Sequence, residues 1–264
     1  SMIASFTRRL LGDIAAVVYP PLCEWTHSPI ESGHFSSAVE NDLLASAHEN
    51  RCPRCGANIG PHLMPEAKGC DQCRSDSFAF QGVTRLGRYD GLLAEAILRM
   101  KRYTGHTLAR SLAKLLFENR RAELSALGAT AVVPVPHHRW TEWQRGYNPS
   151  QAIAGELAAC LGLPVWSHAL IRTRITPPQH HLSGSQRRIN VRGAFASSGR
   201  NDLRGACILL TDDVLTTGST ASESAKALRL AGASVVHVAV LAKGGQRRKE
   251  EAVVSKEAES TQHE

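Results

Sequence analysis

The 264-residue chain has no run of about 18 apolar residues, the minimum for a membrane-spanning helix. LLGDIAAVV, after Arg8-Arg9, imitates the core of a secretory signal, but it is short and Asp13 interrupts it. Several chemistries are excluded by missing motifs. Without GxxxxGK[ST] there is no P-loop motor, and without GxSxG, HExxH or a kinase set those hydrolase, metalloprotease and kinase mechanisms are gone too. Acidic residues are the minority, 24 against 31 Lys and Arg, for a net charge of +7. That balance suits an anionic partner, either a phosphate ligand or nucleic acid. Four of the seven cysteines fall in two CxxC pairs, so reduced thiols and a cytoplasmic location are expected.

The stretch that organises the chain is Ala206–Thr220, ACILLTDDVLTTGST. Ala206 to Leu210 read as a strand buried on both faces, and the two adjacent acids Asp212 and Asp213 follow its end. Thr216, Thr217, Gly218, Ser219 and Thr220 then form a loop of small hydroxyl residues and glycine. Ala221, Ala225 and Leu228 follow at helical spacing as far as Gly232. Small residues let the backbone approach a phosphate, and a helix start adds donors and partial positive charge. The two carboxylates are placed to accept hydrogen bonds from a sugar's vicinal hydroxyls. A capped strand-to-helix turn of the kind any α/β protein has would use the same residues. The complete frame of strand, hydroxyl loop and amphipathic helix favours the ribose-phosphate site.

Cys52-Pro-Arg-Cys55 and Cys70-Asp-Gln-Cys73 are separated by 14 residues. Two such turns can present four thiolates to one tetrahedral metal, with Gly56 and Gly69 giving the knuckles room. The competing reading is a disulfide or redox pair. Cys23 stands alone and reads as a plain thiol, with His48 and His62 as spare ligands or solvated residues.

The rest of the chain reads as alternating helices and strands. An amphipathic helix is expected over Thr7–Tyr19, a strand over Phe78–Tyr89, and helices over Leu92–Met100 and His106–Leu127. Ala131–Val135 reads as a short buried strand. Asn148 and Pro149 open a further helix as N-cap and first residue, and it stops at Gly162. Ser167–Ala206 carries seven arginines (172, 174, 187, 188, 192, 200 and 204) against Asp202, a net of +6, interrupted by Pro177, Pro178 and Gly184. These arginines could hold a diphosphate, follow a nucleic-acid backbone, or simply be solvated. Val235–Leu241 is another apolar strand, and residues 246–264 read as a disordered tail.

Ala206–Thr220 resembles the phosphoribosyl diphosphate (PRPP) motif of type I phosphoribosyltransferases. RCPRCG at Arg51–Gly56, LRMKRYTGH at Leu98–His106, PVPHHRWTEWQRGYNPSQAIAGELA at Pro134–Ala158 and RTRITPPQHHLSGSQRRINVRGAF at Arg172–Phe195 narrow the resemblance to the ComF family. It implies an α/β fold: a type I phosphoribosyltransferase-like domain with a central, mainly parallel sheet over residues 78–245. A zinc ribbon over 23–77 and the helix within 1–22 would precede it. It also implies structural zinc on Cys52, Cys55, Cys70 and Cys73, and PRPP or another ribose-phosphate ligand with magnesium at Asp212–Thr220. Arg139, in the turn after Pro136, would face the diphosphate, and Lys101–Gly105 approximates a basic family signature whose alternative is a basic helix terminus. In the family, the association is with DNA uptake and use of external DNA, so DNA-uptake machinery proteins are implied partners. A single-stranded-DNA-binding accessory without turnover and a PRPP-sensing regulator are the alternatives, and no catalytic residue is assigned.

Purine-using transferases carry a loop like EDxxDTG, whose third acid handles the purine's proton. Aligned on Asp212-Asp213, Thr216 stands at that position, and a threonine is a poor general base near neutral pH. Orotate- and glutamine-using relatives also lack that acid, so catalysis with another acceptor stays open. In a panel assay with PRPP, magnesium and each free purine, no diphosphate release is expected with hypoxanthine or guanine. Turnover that Asp213→Ala abolishes would contradict this.

Overall fold

A computed structural model describes residues 21–60, 69–137, 146–174 and 191–245. The helix expected over Thr7–Tyr19, the tail beyond 245, Arg139, His62 and two of the arginines (187 and 188) lie outside those residues. The elements in chain order are α1 (Ser37–Leu43), β1 (Gly82–Arg88), α2 (Gly91–Met100), α3 (His106–Ala126), β2 (Ala131–Pro134) and α4 (Pro149–Leu161), then β3 (Leu170–Arg172), β4 (Phe195–Ser197), β5 (Cys207–Leu215), α5 (Ser219–Leu230) and β6 (Val235–Lys243). Four strands form a parallel sheet in the order β1-β6-β5-β2. The basic segment supplies a separate antiparallel pair, β3 with β4.

Alternation along the strands explains the two layers. Leu209, Ala239 and Leu241 enter one core with Leu112 and Leu116 of α3 and Ile153 and Leu157 of α4. Ile208, Leu210, Val238 and Val240 enter the other, with Leu228 of α5 and Leu170 and Phe195 of the small sheet. A sheet covered on both faces needs strands that are apolar in both directions, which is why these segments read as continuous apolar runs. Residues ahead of β1 join the first layer: Cys23, Phe35, Val39 and Leu43 pack with Leu86 and Leu93.

Two differences from the sequence reading bear on function. β5 continues through both acids to Leu215, so Asp212 and Asp213 lie within a strand rather than beyond its end. The ladder with β6 explains this: Asp212 stands opposite Val240, Val214 opposite Ala242 and Leu215 opposite Lys243. Pairing on a buried sheet overrides the low strand preference of aspartate. The second difference is at Phe78 and Phe80. They precede β1 and stack at 4.6 Å between ring centroids, and the strand itself starts only at Gly82.

Local signals held where the chemistry is local. Asn148 caps α4 by accepting from the Ser150 amide at 2.9 Å, with Pro149 at the first turn and Gly162 left-handed at φ 68° behind it. Among the described residues no helix is long and apolar enough to cross a membrane. Leu209 is fully buried in the central strand. Leu209→Ala is therefore expected to cost about 2–5 kcal/mol, read as a lower urea midpoint at unchanged slope.

Candidate functional site

The loop after β5 is held from several directions. Gly218 precedes α5 in the left-handed region, at φ 78°. A Cβ there would be strained and would stand 3.1 Å from the Phe78 ring. The hydroxyls of Thr217 and Ser219 lie 2.8 Å apart, the Ser219 amide donates to Thr217 Oγ1 at 3.4 Å, and the Ser222 amide donates to the Gly218 carbonyl at 2.8 Å. Lys243, the last residue of β6, donates from its ammonium to the Thr216 carbonyl and to the Gly244 carbonyl at 2.7 Å. Burial pulls the Lys243 pKa below its ordinary value. The sequence reading ended that strand two residues earlier and missed Lys243. Its one signal is its place at the end of the strand paired with the motif strand.

The acids are enclosed. Asp212 is 8% exposed and Asp213 7%. Asp213 Oδ2 lies 2.8 Å from Lys101 Nζ, and its Oδ1 accepts from the Val214 amide at 2.7 Å. Burial opposes its charge, but Lys101 and then His137 outweigh that and hold the carboxyl below the usual range. Asp212 Oδ1 accepts from Ser150 Oγ at 3.0 Å and from the Asp213 amide at 2.9 Å. His137 Nε2 stands 3.8 Å from that oxygen and 3.2 Å from Ser150 Oγ. Arg172 of β3 has its pKa lowered by burial, an effect that the charge of Asp212 offsets. Its guanidinium lies 5.7 Å from the centroid of the Phe195 ring.

The structure thus gathers Asp212, Asp213 and the Thr216–Thr220 loop at the C-terminal end of the central strand, where open α/β sheets bind ligands. Around them it brings Lys101, His137 and Ser150, from three separate parts of the chain, and the charge of Asp212 acts on Arg172 of β3. Ser150 carries no sequence signal beyond its place in a helix's first turn.

The four cysteines also converge. Cys55 and Cys70 sulfurs are 3.7 Å apart, while Cys52–Cys73 and Cys70–Cys73 are each 3.9 Å apart. All four sulfurs lie within 4.8 Å of one another. A disulfide needs about 2.05 Å, whereas tetrahedral bonds of about 2.3 Å from one zinc separate sulfurs by about 3.8 Å. The donor set therefore fits a four-thiolate metal ion. Burial, then repulsion from the neighbouring sulfurs, pushes the Cys55 thiol up. A dication at the centre would reverse that.

A Cβ on Gly69 would stand 2.6 Å from Cys73 Sγ, so this knuckle requires glycine. Cys23 belongs to the first core layer instead, accepting from the Ser36 amide at 3.4 Å. Burial opposes its thiolate, yet donors from Thr26 and Ser36 win and lower the thiol to about 7. A cavity of about 210 Å³ separates the cluster from the loop, with Cys55, Cys73 and Phe78 on one side and Thr216, Gly218 and Lys243 on the other. Elemental analysis is expected to find about one metal ion per chain, because Cys23 alone cannot build a second site. Loss of that metal is expected in a Cys52→Ser, Cys70→Ser variant, and two ions per chain would contradict the assignment.

Residues 151–263 match the phosphoribosyl transferase domain family. Glutamine PRPP amidotransferase from B. subtilis, in complex with ADP and GMP, is similar at 24% identity and a TM-score of 0.37, over 55% of this chain and 30% of that one. The DNA utilization protein YhgH of Salmonella typhi is 29% identical over 83% of this chain and 95% of its own length. Competence protein F of Haemophilus influenzae is 31% identical over 72% of this chain and 85% of its own. That identity, sustained over most of both chains and joined to the parallel sheet and the four-cysteine cluster, makes this chain a member of the competence protein F family.

Proposed function

We propose that the chain binds PRPP at the C-terminal end of β5. The 5-phosphate sits on Thr216–Thr220, the ribose hydroxyls face Asp212 and Asp213, and the diphosphate extends toward Arg139 and Arg172. The observation that carries this reading is the turn at Gly218, where a left-handed glycine opens α5 beside a hydroxyl-bearing loop and two buried carboxylates. Such a turn offers a phosphate amide and hydroxyl donors with the positive end of a helix. Magnesium would accompany the diphosphate and neutralise its charge. Zinc would occupy Cys52, Cys55, Cys70 and Cys73 as a structural ion.

The names of the relatives, competence and DNA utilization, support a role in taking up or using external DNA, which we propose is carried out in the cytoplasm. Whether PRPP is consumed there or only sensed is decided by turnover. A second reading, a single-stranded-DNA-binding accessory, is supported by the arginine-rich segment 167–206. The described arginines do not all serve it equally. Arg204 is paired with Asp202 at 2.9 Å, Arg174 donates to the Arg192 carbonyl at 3.0 Å, and Arg172 senses Asp212.

Titration calorimetry with PRPP and magnesium tests the first reading. Asp213→Ala is expected to weaken binding by about 1.5–3 kcal/mol. Gly218→Val is expected to weaken it further, because valine is strained at that φ and would push on Phe78. Unchanged affinity in a folded Gly218→Val protein would overturn the loop assignment. Salt-sensitive DNA binding without diphosphate release would favour the accessory reading.

A further inference from the structure

We infer that Lys101 is the resident counter-cation of Asp213: its ammonium holds the carboxylate that a divalent ion would otherwise take, so the free protein needs no metal at its acid pair. This role does not depend on the ribose reading above.

The ion pair is internal. The side chains of Lys101 and Asp213 are only 23% and 10% exposed at a separation of 2.8 Å, so solvent screens it little. Among the described residues, Lys101 after α2, His137 after β2 and Ser150 in α4 face the two acids, and the charge of Asp212 acts on Arg172 in β3. Asp213 is therefore met by a permanent cation, Lys101, before any metal arrives.

Lys101 is also delivered by a turn with little freedom. The Gly105 amide donates to the Arg102 carbonyl at 2.9 Å. A Cβ on Gly105 would stand 2.1 Å from the Met100 carbonyl oxygen, so the turn closes only around glycine. The Tyr147 hydroxyl donates to that same carbonyl. The Tyr103 ring lies over Gly146, where a Cβ would come within 2.5 Å of it. These restraints make Lys101 a positioned charge rather than a solvated helix terminus.

The test is thermal unfolding of the full chain in KCl, in millimolar magnesium and in millimolar manganese at matched ionic strength. Wild type is expected to respond equally to all three. Lys101→Met leaves a buried carboxylate uncompensated, so its Tm is expected to fall by the order of 10 °C. Manganese or magnesium should restore a large part of that fall. Lys101→Arg should behave as wild type. A Lys101→Met, Asp213→Asn double variant should regain stability and lose the response to divalent ions, and it carries the test if the single variant does not fold. A wild-type Tm in Lys101→Met, a fall that divalent ions reverse no better than KCl, or a double variant no more stable than the single would each overturn the inference. Calorimetry with PRPP on wild type separates this inference from the ribose reading: absence of binding would sink that reading, while the unfolding data would still decide the counter-cation.

Discussion

Two adjacent carboxylates are carried into the sheet interior by β5, and an isolated buried charge of that kind costs several kcal/mol. The neighbouring elements meet this cost. α2 ends in a turn that delivers Lys101, β2 leads into His137, α4 begins with Ser150, and the small antiparallel pair contributes Arg172. Each of those positions then constrains its own element. Ser150 is fully buried and also accepts at its carbonyl from Thr211 Oγ1, so the start of α4 is tied to the central strand at two points. The site is a consequence of compensating those acids, as much as of the loop that follows them.

The four-cysteine segment meets the same loop from its other side. Arg54 donates to the Cys73 carbonyl at 2.7 Å and to the Asp76 carbonyl, and its guanidinium lies 5.5 Å from the Phe78 ring centroid. Phe78 in turn faces Gly218, and the Ala79 amide donates to Ser222 Oγ in the first turn of α5 at 3.1 Å. Lys243 donates to the Thr216 carbonyl and lines the same cavity as Cys55 and Cys73. The four-cysteine knuckle is thereby part of the wall that shapes the Thr216–Gly218 turn.

What short-range chemistry controls was legible in the order of the residues. The apolar runs named the central strands because a sheet covered on both faces leaves no polar side to reveal alternation. Asn148, Pro149 and Gly162 bounded α4 because caps act over one turn of backbone. The two CxxC pairs named the four-sulfur cluster because a CxxC turn points both of its sulfurs one way. Tertiary structure decided the reach of β5 through Asp212 and Asp213, since only the ladder with β6 holds aspartates in a strand. It also decided the partners of those acids. Lys101, Ser150 and Arg172 stand 112, 62 and 40 residues from their acids, and no local pattern encodes which distant cation meets a buried charge. That choice follows from the packing of helices and small sheet around the strand, where an uncompensated carboxylate is too costly to leave alone.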